Sequence, residues 1–257
     1  MRNLFAPPAA RRALVLWLGL VSGGAAAASA QAPPPPPPHQ IQWYEPVIAA
    51  AGVSVFFLVD NPVRNYMLDN QTETKENLAS SLQFMGEPAV WAGVPAVMIG
   101  SGLVFRKPGL ARSGLRAVTS AAMAGGVTYV LKWVFGRERP NEPGSEPLDF
   151  EPFAGAFTTS DASFPSGHTS SAFGFAASLA GDVRPLWAKI GLYTLATGTA
   201  WSRVYDNKHW TSDVVAGAIV GITSARLVSG KWQVWGIRPP AVFTDGHQVT
   251  VSWHGEF

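Results

Sequence analysis

Three short stretches hold most of the residues able to do chemistry. The first is Lys132-Trp-Val-Phe-Gly-Arg-Glu-Arg139-Pro140 and the second Phe164-Pro165-Ser166-Gly167-His168-Thr169. The third runs from Ser202-Arg203 to His209-Trp-Thr-Ser-Asp213. Singly, each has an ordinary reading: Lys132 and Arg139 as snorkelling anchors at a helix end, Ser166 as a helix cap, His209 and Asp213 as an i, i+4 surface pair. Together they supply three cations, a helix start with a glycine, two imidazoles and a carboxylate one helical turn from one of them. That set suits phosphoryl transfer. A tetrahedral oxyanion needs several fixed donors. Lys132, Arg139 and Arg203 would provide charge, and Ser166 with the Gly167 N–H would add neutral donors at the positive end of a helix. Gly167 would allow close backbone approach. His209 would attack phosphorus while Asp213 fixes its tautomer. His168 would protonate the departing alkoxide and then deprotonate water. His168, His209 and Asp213 could also be read as a two-histidine, one-carboxylate metal site. The three cations argue against it, since they repel a divalent ion and attract a phosphate.

These stretches fall at the ends of apolar segments rich in Ala, Gly, Ser and Leu, at about 47–59, 88–105, 115–135, 167–183, 187–204 and 211–228. Their length and composition predict helices, hence an all-α bundle of about five to six helices. A full membrane span takes about 20 mostly apolar residues. Ala117–Leu131 offers 15 uncharged residues and Val214–Ala225 only 12, so a soluble bundle stays open on length alone. Charge placement favours a polytopic membrane protein. Arg106, Lys107, Arg112 and Arg116 crowd one joint, and Arg184 and Lys189 another. The connection from 138 to 161 instead carries Glu138, Glu142, Glu146, Asp149, Glu151 and Asp161. Positive joints stay inside, which puts the acidic connection and all three polar stretches outside. In this scheme Val47–Val59 should lie at the interface and not cross.

Of 257 residues, 47% are hydrophobic and only 14% charged, against about 25% in a typical soluble domain. With no cysteine, disulfides, thiolate metal sites and cysteine nucleophiles are excluded. Residues 1–30, with Arg11-Arg12 before an apolar run and Ala28-Ser29-Ala30 at the end, read as a signal peptide cleaved before Gln31; an uncleaved anchor helix is the alternative. Without that segment the chain is slightly acidic, so no nucleic-acid partner is expected. Residues 31–46 form a proline-rich linker whose run Pro33–Pro38 favours polyproline II. Residues 47–230 are the helical domain. The tail, 231–257, predicts a small β-hairpin from the alternation Val249, Val251, Trp253 after Asp245-Gly246.

The three stretches resemble the signature of the type 2 phosphatidic acid phosphatase and vanadium haloperoxidase superfamily. Its pattern is Lys, six residues, Arg-Pro; Pro-Ser-Gly-His; and Ser-Arg, five residues, His, three residues, Asp. Every fixed position is filled here, over about 132–213. The resemblance implies a helical bundle with His209 as nucleophile, His168 as acid and base, and Asp213 orienting His209. It gives Lys132, Arg139, Ser166, Gly167 and Arg203 to the phosphate, and implies no cofactor and no metal. The membrane members commonly act on lipid phosphates, which fits a site at the outer face of a bacterial inner membrane. A soluble periplasmic acid phosphatase is the nearest alternative; vanadate-dependent halide oxidation suits longer, soluble chains. Nothing in the sequence reports an oligomeric state.

Overall fold

The computed structural model describes residues 37–153, 163–234, 241–244 and 249–252. The expected signal peptide and most of the proline run lie outside these residues.

Nine α-helices are described: α1 (Tyr44–Phe56), α2 (Asp60–Asp69), α3 (Glu73–Leu82), α4 (Pro88–Trp91), α5 (Gly93–Val104), α6 (Pro108–Phe135), α7 (Gly167–Asp182), α8 (Leu186–Tyr205) and α9 (Thr211–Val228). Tyr44–Asp69, Pro108–Phe135 and Thr211–Val228 are each long and apolar enough to cross a membrane, and the pair Glu73–Gly86 with Pro88–Val104, bent by 41°, adds a fourth candidate. Apolar side chains stand exposed on the outer faces, among them Val47 and Ile48 on α1, Val97 on α5, Val130 on α6 and Ile190 on α8. Exposed aromatics collect at both ends: Trp43, Phe105 and Trp187 at one, Tyr66, Trp133 and Phe153 at the other. Water does not favour such a surface, and lipid with its two interfaces does. This is a helical membrane protein.

The shorter α7 sits in the middle, packed by α6, α8 and α9. Neighbouring helices cover it, so it needs no apolar coat, and its buried face carries Thr169, Ser170, Ser171, Ala172, Gly174 and Ser178. Small residues let backbones close up. A Cβ at Gly221 would lie 2.5 Å from Ser170 O, and one at Gly217 would lie 2.7 Å from Ser166 O. Thr128 Oγ1 donates to Ser170 Oγ at 2.7 Å, linking α6 to α7. Close packing along α6, α7 and α9 therefore fixes their ends relative to one another, and those ends carry the polar stretches.

Two features depart from the sequence reading. Val47–Val59 does not lie along an interface. Strand β1 (His39–Gln40) pairs in parallel with β2 (Trp232–Gln233), just past the C-terminal end of α9. Asp60 bonds Ser212, at the N-terminal end of α9. The segment between them thus runs the length of α9, and Tyr44–Asp69 crosses the bundle. The apolar stretch looked too short because the helix continues through Asp60, a polar residue satisfied inside the protein. Second, α2 and α3 were not expected at all. Their sequences are polar, and α3 shows itself only through a cap, Thr72 Oγ1 accepting from Lys75 N at 3.4 Å. In the tail, β3 (Ala241–Thr244) pairs antiparallel with β4 (Val249–Ser252) as the expected hairpin; its turn, Asp245-Gly246, lies outside the described residues.

Candidate active site

All three polar stretches meet at one end of the bundle, where α6, α8 and the 206–210 joint end and α7 and α9 begin. Helix α6 closes on Gly136, whose φ of 54° is a left-handed C-cap that glycine adopts without strain. The chain then turns back across the site. Lys132 Nζ donates to Ser163 O at 3.0 Å, and Arg139 lies close enough for its charge to act on Lys132, His168, Arg203 and His209.

His209 is buried. Its Nδ1 lies 3.2 Å from Asp213 Oδ2 and 3.5 Å from Ser163 Oγ, which leaves Nε2 as the nitrogen not engaged by the carboxylate. Burial, with Lys132 and Arg139 nearby, pushes the His209 pKa down to about 3, against the opposing pull of Asp213. A neutral imidazole with one nitrogen tied is what attack on phosphorus requires.

Asp213 is itself held from all sides. Its Oδ2 accepts from Ser163 Oγ at 2.5 Å and from Trp210 N at 2.9 Å, and its Oδ1 accepts from Arg137 Nη1 at 2.5 Å. Its carbonyl accepts from Ser166 N at 3.0 Å, tying the start of α7 to α9. Arg137 continues outward: Nη2 donates to Asp60 Oδ2 at 2.7 Å and to Pro147 O at 2.6 Å, and Nη1 donates to Ser212 Oγ at 2.7 Å. Ser212 returns two bonds to Asp60, from N at 2.8 Å and Oγ at 2.6 Å. Arg137 has no exposed surface and Asp60 has 1%. Aromatic rings surround the guanidinium, the Phe57 centroid at 4.5 Å, Trp210 at 5.3 Å and Phe150 at 5.4 Å.

The other expected residues line the opening. Ser166 precedes α7 and is fully buried; its Oγ accepts from Thr169 Oγ1 at 3.0 Å, which leaves its own hydroxyl proton for another acceptor. A Cβ at Gly167 would meet only Thr128 Cγ2, at 3.9 Å, so nothing in the protein demands glycine there. His168 Nε2 lies 3.2 Å from Glu87 Oε1. Gly86, just before Glu87, packs so tightly on His168 that a Cβ would lie 2.7 Å from the histidine Cβ. Arg203 Nη1 donates to Gln83 Oε1 at 2.8 Å, while its buried Nε has no partner.

Sequence reasoning missed Asp60, Gln83, Glu87, Arg137 and Ser163. Arg137 sits inside the first stretch and had a signal, a cation in an apolar, aromatic neighbourhood. Asp60, Gln83 and Glu87 come from elements with no recognisable motif.

A tied imidazole, a second histidine and three cations thus lie around one end of a membrane bundle. The PAP2 superfamily profile matches residues 113–237. YbjG of Escherichia coli (strain K12) is 31% identical over 169 residues, covering 62% of this chain and 83% of YbjG. The undecaprenyl-diphosphatase of Sulfolobus acidocaldarius is 30% identical over 152 residues, 59% of this chain and 68% of that protein. The lipid A 1-phosphatase of Porphyromonas gingivalis is 36% identical over 113 residues, 43% of this chain, and this chain spans only 21% of that relative's length. The transmembrane PAP2-type phosphatidylglycerolphosphate phosphatase of Bacillus subtilis superposes with a TM-score of 0.51 at 20% identity, over 73% of this chain and 95% of that one, which establishes the shared fold. The chain belongs to the PAP2 superfamily.

Proposed function

We propose that this chain is a membrane phosphatase that removes a terminal phosphoryl group from a lipid phosphomonoester or pyrophosphate. The observation that carries the reading is the buried His209–Asp213 pair, with the carboxylate locked by Arg137, Ser163 and the Trp210 N–H. His209 Nε2 attacks phosphorus and forms a P–N bond as the P–O bond to the lipid breaks. His168 gives its proton to the departing oxygen. Water then loses a proton to His168 and attacks the phosphohistidine, the P–N bond breaks, and inorganic phosphate leaves. Lys132, Arg139, Arg203, Ser166 and the Gly167 N–H hold the non-bridging oxygens, the free Arg203 Nε among the donors. The membrane-crossing helices and the lipid-phosphate relatives support a lipid substrate over a soluble ester.

The site faces the periplasm in this reading, because Lys107, Arg112, Lys189 and Lys231 lie at the opposite end of the bundle. That orientation conflicts with a cleaved signal. With the site outside, β1 and the start of α1 lie inside, where signal peptidase could not have cut before Gln31. Residues 1–30 are then retained.

A phosphate-release screen over lipid monophosphates, lipid pyrophosphates and soluble monoesters in detergent tests the activity. Turnover should be best with a lipid and vanish in His209→Ala; faster turnover of every soluble ester, or an active His209→Ala, would overturn the reading. Since the natural chain lacks cysteine, single cysteines report orientation cleanly. Glu142→Cys should react with an impermeant maleimide in intact cells and Arg112→Cys should not; the reverse labelling would invert the topology.

A further inference from the structure

The end of the bundle opposite His209 holds a second concentration of positive charge, and this one is recessed. A cavity of about 450 Å³ opens between the start of α6, the end of α7, the start of α8 and the end of α9. Arg116, Lys189, Arg226 and Lys231 line it, against one carboxylate, Asp182. Arg116 Nη2 uses that carboxylate at 2.7 Å. Among the described residues, Lys189, Arg226 and Lys231 have no carboxylate within ion-pair distance; Arg226 lies over the Trp232 ring at 5.6 Å, and Lys231 Nζ reaches over Gly181. His168 and Asp182 mark the two ends of α7, about 21 Å apart at 1.5 Å per residue, so this cavity is no part of the catalytic site.

Cations spread over loops are sufficient to orient a membrane protein. Arg106, Lys107 and Arg184 lie in such joints and Arg112 on the first turns of α6, and none of them lines the cavity. Four cations gathered from three helix ends around one hollow, against a single carboxylate from a fourth, repel one another unless an anion enters. The walls otherwise consist of small and hydroxyl residues, Ala177, Ala180, Ser178 and Ser229 among them, which leaves room for a tetrahedral group. We propose that this cavity binds a phosphate-bearing anion, either the head group of an anionic phospholipid in the adjoining leaflet or soluble inorganic phosphate. Basic pockets between membrane helices bind phosphorylated head groups in this way. The inference does not depend on the catalytic reading.

The test compares wild type, Lys189→Glu/Lys231→Glu and the control Lys107→Glu/Arg112→Glu, which makes the same charge change at the same end outside the cavity. Each is placed in nanodiscs of phosphatidylcholine with or without phosphatidylglycerol, a phosphodiester that offers no terminal phosphoryl group to His209. Bound phosphatidylglycerol is counted by native mass spectrometry, and inorganic phosphate binding is measured by equilibrium dialysis. Hydrolysis of p-nitrophenyl phosphate should be unchanged in both variants, which certifies the fold and the catalytic site. In the cavity variant, affinity for one of the two probes should fall about tenfold, with the control near wild type. Loss of lipid alone assigns the head group; loss of dialysed phosphate assigns a soluble ligand. The milder Lys189→Gln/Lys231→Gln variant should show a smaller loss of the same probe. Equal binding of both probes by wild type and cavity variant, or equal loss in the control, would overturn the proposal.

Discussion

Replacing Arg137 with Gln tests whether the buried ion network serves stability, catalysis or both. The substitution removes one charge from a site with no exposed surface and leaves two carboxylates, Asp60 and Asp213, facing each other's surroundings without their shared cation. Breaking a buried pair by removing one partner costs about 3–5 kcal/mol, because the stranded charges remain desolvated. At about 2–4 °C per kcal/mol for a chain of this size, the melting temperature in detergent should fall by about 6–20 °C. Turnover, measured well below that transition, should fall as well, since Asp213 Oδ1 loses its donor and the carboxylate that orients His209 is then held through one oxygen only. The double variant Asp60→Asn/Arg137→Gln separates the two effects. Removing the Asp60 charge should restore most of the lost stability, whereas Asp213 Oδ1 still lacks its donor and kcat should stay low. A double variant that recovers kcat along with the melting temperature would refute the positioning role. An Arg137→Gln protein within about 1 kcal/mol of wild type would refute the network's importance altogether.

His168→Ala should slow release of a lipid alkoxide far more than release of p-nitrophenolate, which needs little protonation; equal losses in kcat would count against the acid role. His209 stays neutral in the folded protein down to about pH 3, while an unfolded histidine takes up a proton near 6.5. Its contribution to stability is therefore complete above about pH 6.5 and shrinks as the pH falls towards 3, by up to about 1.4 kcal/mol per unit. The melting-temperature gap between wild type and His209→Asn should drift in that sense between pH 7 and 4, and a constant gap would contradict it. Gly221→Ala sets two magnitudes against each other. Helix propensity favours Ala by up to about 1 kcal/mol, but a Cβ 2.5 Å from Ser170 O and 2.7 Å from Gly174 N imposes overpacking of about 1–3 kcal/mol. The variant should melt lower and turn over more slowly; a higher melting temperature would show that α7 and α9 are free to separate.

The helices that carry the polar stretches were readable because their composition is apolar and small, and their predicted ends at 135, 167, 204 and 211 fall within one residue of the observed ones. The meeting of Lys132, His168, Arg203 and His209 at one end was readable from charge placement, since helices that alternate in direction return their ends to the same side. What stayed hidden depends on contacts between distant segments. Asp60 looks like a helix-breaking polar joint until Arg137 and Ser212 are seen to satisfy it. Glu87 and Gln83 carry no motif and matter only because a 3₁₀ turn at Gln83–Gly86 brings them to His168 and Arg203. The crossing by Tyr44–Asp69 was missed for the same reason, as an apolar count stops where the first buried charge begins.

Asp60 also bears on how the protein is made. The segment Tyr44–Asp69 enters the bilayer before the residues that neutralise its carboxylate have been synthesised. Asp60 lies level with the N-terminal end of α9, so its cost in a lone membrane helix is below the ~2.5–3.5 kcal/mol of a charge at the helix centre. This arm is therefore expected to gain its final hold on the bundle only once Arg137 and then Ser212 have been made and dock against Asp60.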